Sequence, residues 1–327
     1  KVGTDVLTPA VSDNTKQVFY NTYDVTSLLK PGRNTIGLWV GQGIATRQES
    51  SEFGGVVPAV PHVRAQIEAE INGNPWALGT DASWKTSSSS YQRRGGTKWG
   101  DFGGERIDPA AHIANWSSPD FDDKDWKNAV EVEAPKGEVL AQQAPLNRIG
   151  KEIPAVAVND LGGGKYEIDF GTNLSGWLRL KMPAHAGVVK LTFADARRGK
   201  DSHQHFNQIS EFVSTGKPGE VFEHKFNYAG FRYVIVEGLP VAPKKEDAVA
   251  MLVESDLEPV GAFECSNDLF NRISRVNQWT QRSLNLGGYY VDCPHRERLG
   301  YGDGQVAVEG FMTSFGAYGF YRKWLMD

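Results

Sequence analysis

The sequence predicts a multidomain protein in which two β-sandwich domains precede the first helices of a third, helical domain, and three observations carry that prediction. Up to about residue 250 the chain is written in short strand-like runs separated by Gly and Pro turns, with no sustained helical period. From residue 255 apolar residues recur at helical spacing instead. At 327 residues, 40% hydrophobic and 11% aromatic, the chain is long enough to bury more than one core.

The first domain is assigned to residues 1–137. "KQVFYNTYDVT" is strand-like, Pro31-Gly32 makes a turn, and "TIGLWVGQG" is a second strand. In "HVRAQIEAEING" Val63, Ala65, Ile67, Ala69 and Ile71 alternate with His62, Arg64, Gln66, Glu68 and Glu70, so one face is expected in a core and the other in water. "SSSSYQRRGGTKWGDFGGERID" is expected to be an exposed loop, being too rich in Gly, Ser and Arg to pack. The aromatics Trp116, Phe121 and Trp126 have the chemistry to stack on sugars, but plugging the sandwich is the favoured reading.

Residues 138–254 form the second sandwich, with strands in "GGGKYEIDFGTNLSGWLRLKM", "GVVKLTFAD" and "FNYAGFRYVIVEG". His203 and His205 share one side of an extended segment, as two metal-ligating imidazoles would, but no carboxylate or cysteine stands nearby in sequence, so a metal site is disfavoured. From 255 onward Ser266 is the expected N-cap of a helix carrying Leu269, Phe270, Ile273, Val276 and Thr280, which Gly287-Gly288 ends. Asp303 is expected to cap a second helix with Val306, Phe311, Met312 and Phe315. Its glycines are tolerable only where they allow close helix packing.

Charge and cysteine content narrow the function. The 35 basic and 40 acidic residues leave a net charge of −5 with no basic block, which argues against nucleic acid as a partner. No apolar run has the length of a membrane helix, which argues against membrane insertion. Cys265 and Cys293 form neither a disulfide framework nor a zinc spacing, and two buried free thiols are expected.

Between the two helices "YYVDCPHRERLGYGDGQ", residues 289–305, concentrates ionisable side chains. Pro294 keeps Cys293 extended, so the loop can aim side chains into a cavity. Asp292, Glu297 and Asp303 offer carboxylates for acid–base work, and Arg296 can pair with one of them or hydrogen-bond a polyhydroxy ligand. The same residue types also serve as caps and surface ties, and residue types alone favour that plainer role.

"DCPHRERLGYGDGQ" resembles the signature that opens the helical catalytic domain of bacterial α-L-rhamnosidases, glycoside hydrolase family 78. "VFYNTYDVTSLLKPGRNTIGLWVGQG" is similar to their N-terminal lectin-like sandwich, and "YEIDFGTNLSGWLRLKM" and "FNYAGFRYVIVEG" to the β-domain before the catalytic barrel. The resemblance implies that residues 255–327 begin an (α/α)6 barrel. It also implies a reaction that inverts the anomeric centre of terminal α-L-rhamnosides of plant or microbial glycans.

Carried across, Glu297 is the general acid, Asp292 and Arg296 hold sugar hydroxyls and tune it, and Tyr301 and Asp303 complete the sugar pocket. Two departures are visible: many members have one more acidic residue after the Arg, and a Trp where Tyr301 stands. The general base is expected beyond Asp327, with the chain cut short at both ends. No cofactor or metal is implied, the partner is a rhamnose-containing oligosaccharide or glycoside, and the resemblance points to the periplasm or the exterior, with the cytoplasm open. Two alternatives stand beside it: a rhamnose–glucuronate polysaccharide lyase on a similar scaffold, and a non-catalytic carbohydrate-binding protein.

Overall fold

A computed structural model describes residues 1–43, 61–96, 100–199, 202–298 and 300–327, with the side chain of Tyr301 outside the description. The chain is β-rich up to Ser255, and three helices follow.

A ten-stranded sheet dominates. Its path runs through strands 91–94, 104–107, 209–215, 186–194, 229–237, 165–181, 248–255 and 147–154, and strands 157–162 and 221–223 pair with the long strand Lys165–Lys181. All neighbours are antiparallel except Gly104–Ile107 with Ile209–Thr215. The long strand shifts register between Asp169 and Leu174, so its first half pairs with 157–162 and its second with 248–255. That kink wraps the sheet around one core, in which Ile168, Leu178, Leu180, Val189, Leu191, Phe212, Phe222 and Phe231 are fully buried.

Two strands of this sheet come from the stretch expected to be an exposed loop. Tyr91–Arg94 and Gly104–Ile107 pair as a hairpin and dock on Ile209–Thr215. Two of the three arginines that argued for a loop are satisfied by one carboxylate, Glu211, which takes Arg94 at 2.7 Å and also Arg106, while Arg93 donates to the Gly96 carbonyl. Ile107 and Glu105 are buried.

Around the large sheet the other elements are short. Gln17–Tyr20 pairs in parallel with Glu138–Ala141. "TIGLWVGQG" is no strand: its Trp39 packs edge-on against Tyr91 and Phe226 instead, at 5.2 and 5.3 Å between centroids. Gln66–Ile71 and Asn74–Gly79 form a separate two-stranded hairpin. Its alternating face is only half covered at Ile67 and Ala69 and open at Val63 and Ile71, because two strands alone have no second layer to face. Trp116 and Phe121 both pack on Trp126, and all three are half-buried.

Helix α1 spans Asp268–Leu284, capped by Asn267, one residue after the expected Ser266: the Asn267 side chain accepts the Leu269 N–H at 2.9 Å. Its polar side is tied to the sheet through the Arg282–Glu254 ion pair and a bond from Trp279 Nε1 to the Asn173 carbonyl. The apolar stripe Leu269, Phe270, Ile273 and Val276 is more than half exposed. Helices α2, Tyr301–Ser314, and α3, Tyr318–Met326, build a small core of Phe311, Phe315, Phe320 and Tyr321. Gly304 allows their approach, since a Cβ there would lie 2.8 Å from the Trp324 indole nitrogen. Gly300, not Asp303, occupies the N-cap of α2. Both cysteines are free, Cys293 buried but Cys265 only partly so.

Candidate active site

The loop between α1 and α2 is built in three steps. After Leu284 the chain makes a two-residue hairpin, Asn285–Leu286 against Tyr289–Tyr290, and Gly287 and Gly288 supply the positive φ angles (72° and 85°) that its turn requires. Buried Lys323 of α3 holds that hairpin, donating to the Gly288 carbonyl at 3.1 Å while paired with Asp327. Past Pro294 the chain then closes a single turn, in which the N–H groups of Arg296 and Glu297 both donate to the Cys293 carbonyl, at 2.9 and 3.0 Å.

That turn brings four of the expected residues together. Arg296 Nη2 lies 3.4 Å from Asp292 Oδ2, and Arg296 Nε 3.5 Å from Glu297 Oε1, so one guanidinium stands between the two carboxylates. Asp303 reaches back from the first turn of α2, and its Oδ2 accepts the Asp292 N–H at 3.0 Å. Burial raises the Asp303 carboxyl, and the negative charges of Asp292 and Glu297 push it further. The Glu297 side chain is 21% exposed and that of Asp292 52%, so the cluster is open to a ligand on one side. The role expected for the Tyr301 side chain lies outside the described residues.

Asp292, Cys293 and Glu297 offer three potential metal-ligating atoms within 4.8 Å of one another. The chemistry of the set fits a metal poorly. Burial, with the neighbouring carboxylates, pushes the Cys293 thiol to about 12, so it keeps its proton and donates it to Asp292. The Arg296 guanidinium, standing between the Asp292 and Glu297 carboxylates, already supplies the positive charge that a metal ion would bring there. The arrangement is suited to holding and moving a proton.

The His203–His205 pair has another fate. His203 Nε2 lies 2.5 Å from Glu167 Oε2, and Glu167 also takes Arg197 and Asn159. The carboxylate missing from the local sequence is thus supplied across the fold, 36 residues away.

The back of the loop rests on the sheet, through residues the sequence did not single out. His295 Nδ1 is 3.6 Å from Asp195 Oδ2, its Nε2 meets Gln204 Nε2 at 3.3 Å, and its ring lies on Phe206. The Arg296 carbonyl accepts the Gly100 N–H at 2.9 Å. Arg298 is buried against Tyr228 and Phe102. The only sequence signal for His295 and Arg298 was their place inside the motif, and Tyr228 carried none beyond its strand. A separate cavity lined by Arg148, Glu254, Asp256, Arg282 and Phe311 shares only Asn285 with the loop and none of its clustered ionisable residues, and within its ion pairs, Arg148–Asp256 and Arg282–Glu254, the charges neutralise one another.

Comparison with known proteins gives a consistent set of relatives. Family models match in order along the chain: the α-L-rhamnosidase N-terminal domain over residues 1–151, the bacterial α-L-rhamnosidase concanavalin-like domain over 159–254, and the bacterial α-L-rhamnosidase 6 hairpin glycosidase domain over 258–327. An α-L-rhamnosidase of Formosa agariphila is 30% identical over 345 residues, covering 100% of this chain and 36% of that protein. One of Streptomyces avermitilis is 30% identical over 338 residues, covering 100% and 32%.

Among solved structures, the α-L-rhamnosidase from Dictyoglumus thermophilum superposes with a TM-score of 0.83 at 28% identity, over 98% of this chain and 36% of that one. The Streptomyces avermitilis α-L-rhamnosidase, solved with L-rhamnose, superposes with a TM-score of 0.85 at 25% identity, over 100% and 32%. The chain spans about a third of the length of the curated relatives it matches.

Proposed function

The chain belongs to the bacterial α-L-rhamnosidase family, and from that premise we propose that it supplies the β-rich part and one active-site wall of an inverting glycosidase that hydrolyses terminal α-L-rhamnosides of plant or microbial glycans. Residues 1–137 and 138–254 are its two β-domains, although the large sheet draws two strands from before residue 137. Residues 255–327 open an (α/α)6 barrel. The exposed stripe of α1 supports this, being an apolar face ready to pack against further helices.

The observation that carries the reading is the single turn in which Arg296 stands between Asp292 and Glu297. Glu297 is the general acid. Its carboxyl must come within about 3 Å of the glycosidic oxygen and give up its proton as the bond to the anomeric carbon breaks. Asp292, Arg296 and Asp303 bind and orient rhamnose hydroxyls, and Tyr301 takes the role of the aromatic that lines the rhamnose pocket in the resembled family. Arg296 holds Glu297 in place between turnovers and, once sugar binds, can turn its donors to hydroxyl oxygens.

Inversion also needs a second carboxylate about 6.5–9.5 Å from the acid, across the sugar, to activate water. Asp292 and Asp303 stand on the same wall as Glu297, so we assign the base to a helix outside residues 1–327.

The test is to follow an aryl α-L-rhamnoside by proton NMR in a polypeptide that carries this chain and its helical continuation. First-formed β-L-rhamnose supports the reading. First-formed α-L-rhamnose overturns inversion, and an unsaturated uronate from a rhamnose–glucuronate polymer, with no free rhamnose, identifies a lyase instead.

A further inference from the structure

Arg298 is a buried cation, 8% exposed, that makes no ion pair among the described residues. Burial lowers its pKa, so the fold works against its charge. A plain packing role would be met at less cost by an apolar side chain of similar volume. What the guanidinium does that an apolar side chain cannot is bond three carbonyls at once. Nη1 donates to the Pro294 carbonyl and, at 3.3 Å, to that of Glu297, and Nη2 donates to the Tyr228 carbonyl at 2.8 Å. Its centre lies 3.9 Å from the Tyr228 ring centroid and 4.7 Å from that of Phe102.

Two of those carbonyls bracket the turn from which the Glu297 side chain emerges, and the third belongs to Tyr228, the residue that leads into strand Ala229–Glu237. The sheet side is itself fixed. Glu105 accepts the N–H groups of Lys225, Phe226 and Asn227 at 3.1, 2.6 and 3.1 Å, and Asn227 Oδ1 accepts the Tyr228 N–H at 2.9 Å. A continuous run of contacts therefore leads from a buried carboxylate in the sheet, through residues 225–228 and Arg298, to the backbone of Glu297.

We propose that Arg298 is a positioning residue for the general acid: clamped to Tyr228 and Phe102, it fixes the 294–297 turn so that the β-domain sets where Glu297 presents its proton. The proposal rests on the reading of Glu297 as the acid. It requires the planar fork of arginine, because the three carbonyls and the aromatic contacts are met together by a flat, multi-donor group and not by an ammonium.

The experiment compares Arg298→Lys and Arg298→Ala with Glu297→Gln in the full-length enzyme, using a rhamnoside with a poor alkyl leaving group and one with an activated aryl leaving group. An acid held out of place fails to protonate the alkoxide but matters less to a leaving group that needs no proton. Both Arg298 variants should lose about 10²-fold in kcat on the alkyl substrate, much less on the aryl one, with KM changed little. Added guanidinium ion should restore part of the alkyl activity of Arg298→Ala.

Equal losses on both substrates in folded Arg298 variants, while Glu297→Gln shows the selective loss, overturn the positioning role and leave the acid in place. Equal losses for Glu297→Gln itself overturn the acid assignment and this role with it. Should Arg298→Ala fail to fold, Tyr228→Leu, which removes one aromatic contact and leaves the loop sequence intact, must show the same substrate-selective loss, and its absence counts against the proposal.

Discussion

Gly230 in the sheet backs directly onto His295 in the candidate loop: a Cβ placed on Gly230 would stand 2.9 Å from the His295 backbone nitrogen and 3.3 Å from Pro294. The sheet side has little room to give. The Gly230 N–H donates to Gln208 Oε1 at 2.8 Å, and its carbonyl accepts from Gln208 Nε2 at 2.9 Å, so the glycine is pinned from both faces of its peptide.

Gly230→Ala should therefore push the 294–297 turn outward. We expect a loss of about 1–3 kcal/mol in stability from overpacking, read as a lowered melting temperature. With it should come a fall of roughly tenfold or more in kcat, since small displacements of a catalytic group are costly. A melting temperature and kcat both at the parental level would show that the loop is not seated on Gly230.

Acid should unfold the β-rich part for two reasons, whose pH windows start at different points and overlap between about 4.5 and 3. His224 is buried, its Nδ1 accepts the Leu178 N–H at 3.1 Å, and burial pushes its pKa down to about 3. A histidine depressed in the folded state stabilises fully above its unfolded value, near 6.5, and that contribution is lost as pH falls towards 3, on the order of 5 kcal/mol in all. For Glu167 burial alone would raise the pKa, but hydrogen bonds from Arg197, Asn159 and His203 outweigh it and hold the carboxyl at about 2. Its contribution is complete above about 4.5 and disappears between there and 2. Calorimetry should show the melting temperature falling steadily below pH 6.5, and the neutral variant His224→Gln should flatten the slope between pH 6.5 and 4.5. An unchanged slope would remove His224 from the account.

The apolar stripe of α1 makes the helical region the weak end of the chain when it is expressed as these 327 residues. Leu269, Phe270, Ile273 and Val276 are 54–65% exposed, while the sheet core is closed. Limited proteolysis should cut within about residues 255–327 and leave a core ending near residue 250, and rhamnose release should stay at background. Uniform resistance together with enzyme-like turnover would place a second catalytic carboxylate within these residues.

What could be read from the sequence divides along physical lines. The strand grammar of 165–181, 186–194 and 229–237 was legible because runs rich in β-branched and aromatic residues, bounded by glycines, are a local signal. So was the face of α1, since period 3.6 is local, although nothing local shows what covers that face. Residues 91–107 misled because Arg94 and Arg106 find their partner, Glu211, more than a hundred residues away.

The same holds at the site. Asp292, Arg296, Glu297 and Asp303 were legible as a cluster because they lie within one motif. The contact of Arg298 with Tyr228 spans 70 residues, and that of His295 with Asp195 a hundred, so no local pattern could show either. The helix starts slipped for a smaller reason. Asn267 and Ser266 are both good caps, and Asp303 was drawn from the cap position into the first turn of α2 by the Asp292 N–H.

The measurement that bears most directly on the central claim is the leaving-group dependence of Glu297→Gln in the full-length enzyme. Gln keeps the shape and the contact with Arg296 but has no proton to transfer. Turnover of an alkyl rhamnoside should fall by about 10²–10⁴, and that of an activated aryl rhamnoside by far less. An equal fall on both substrates, or none on the alkyl one, would contradict the assignment of Glu297 as the acid.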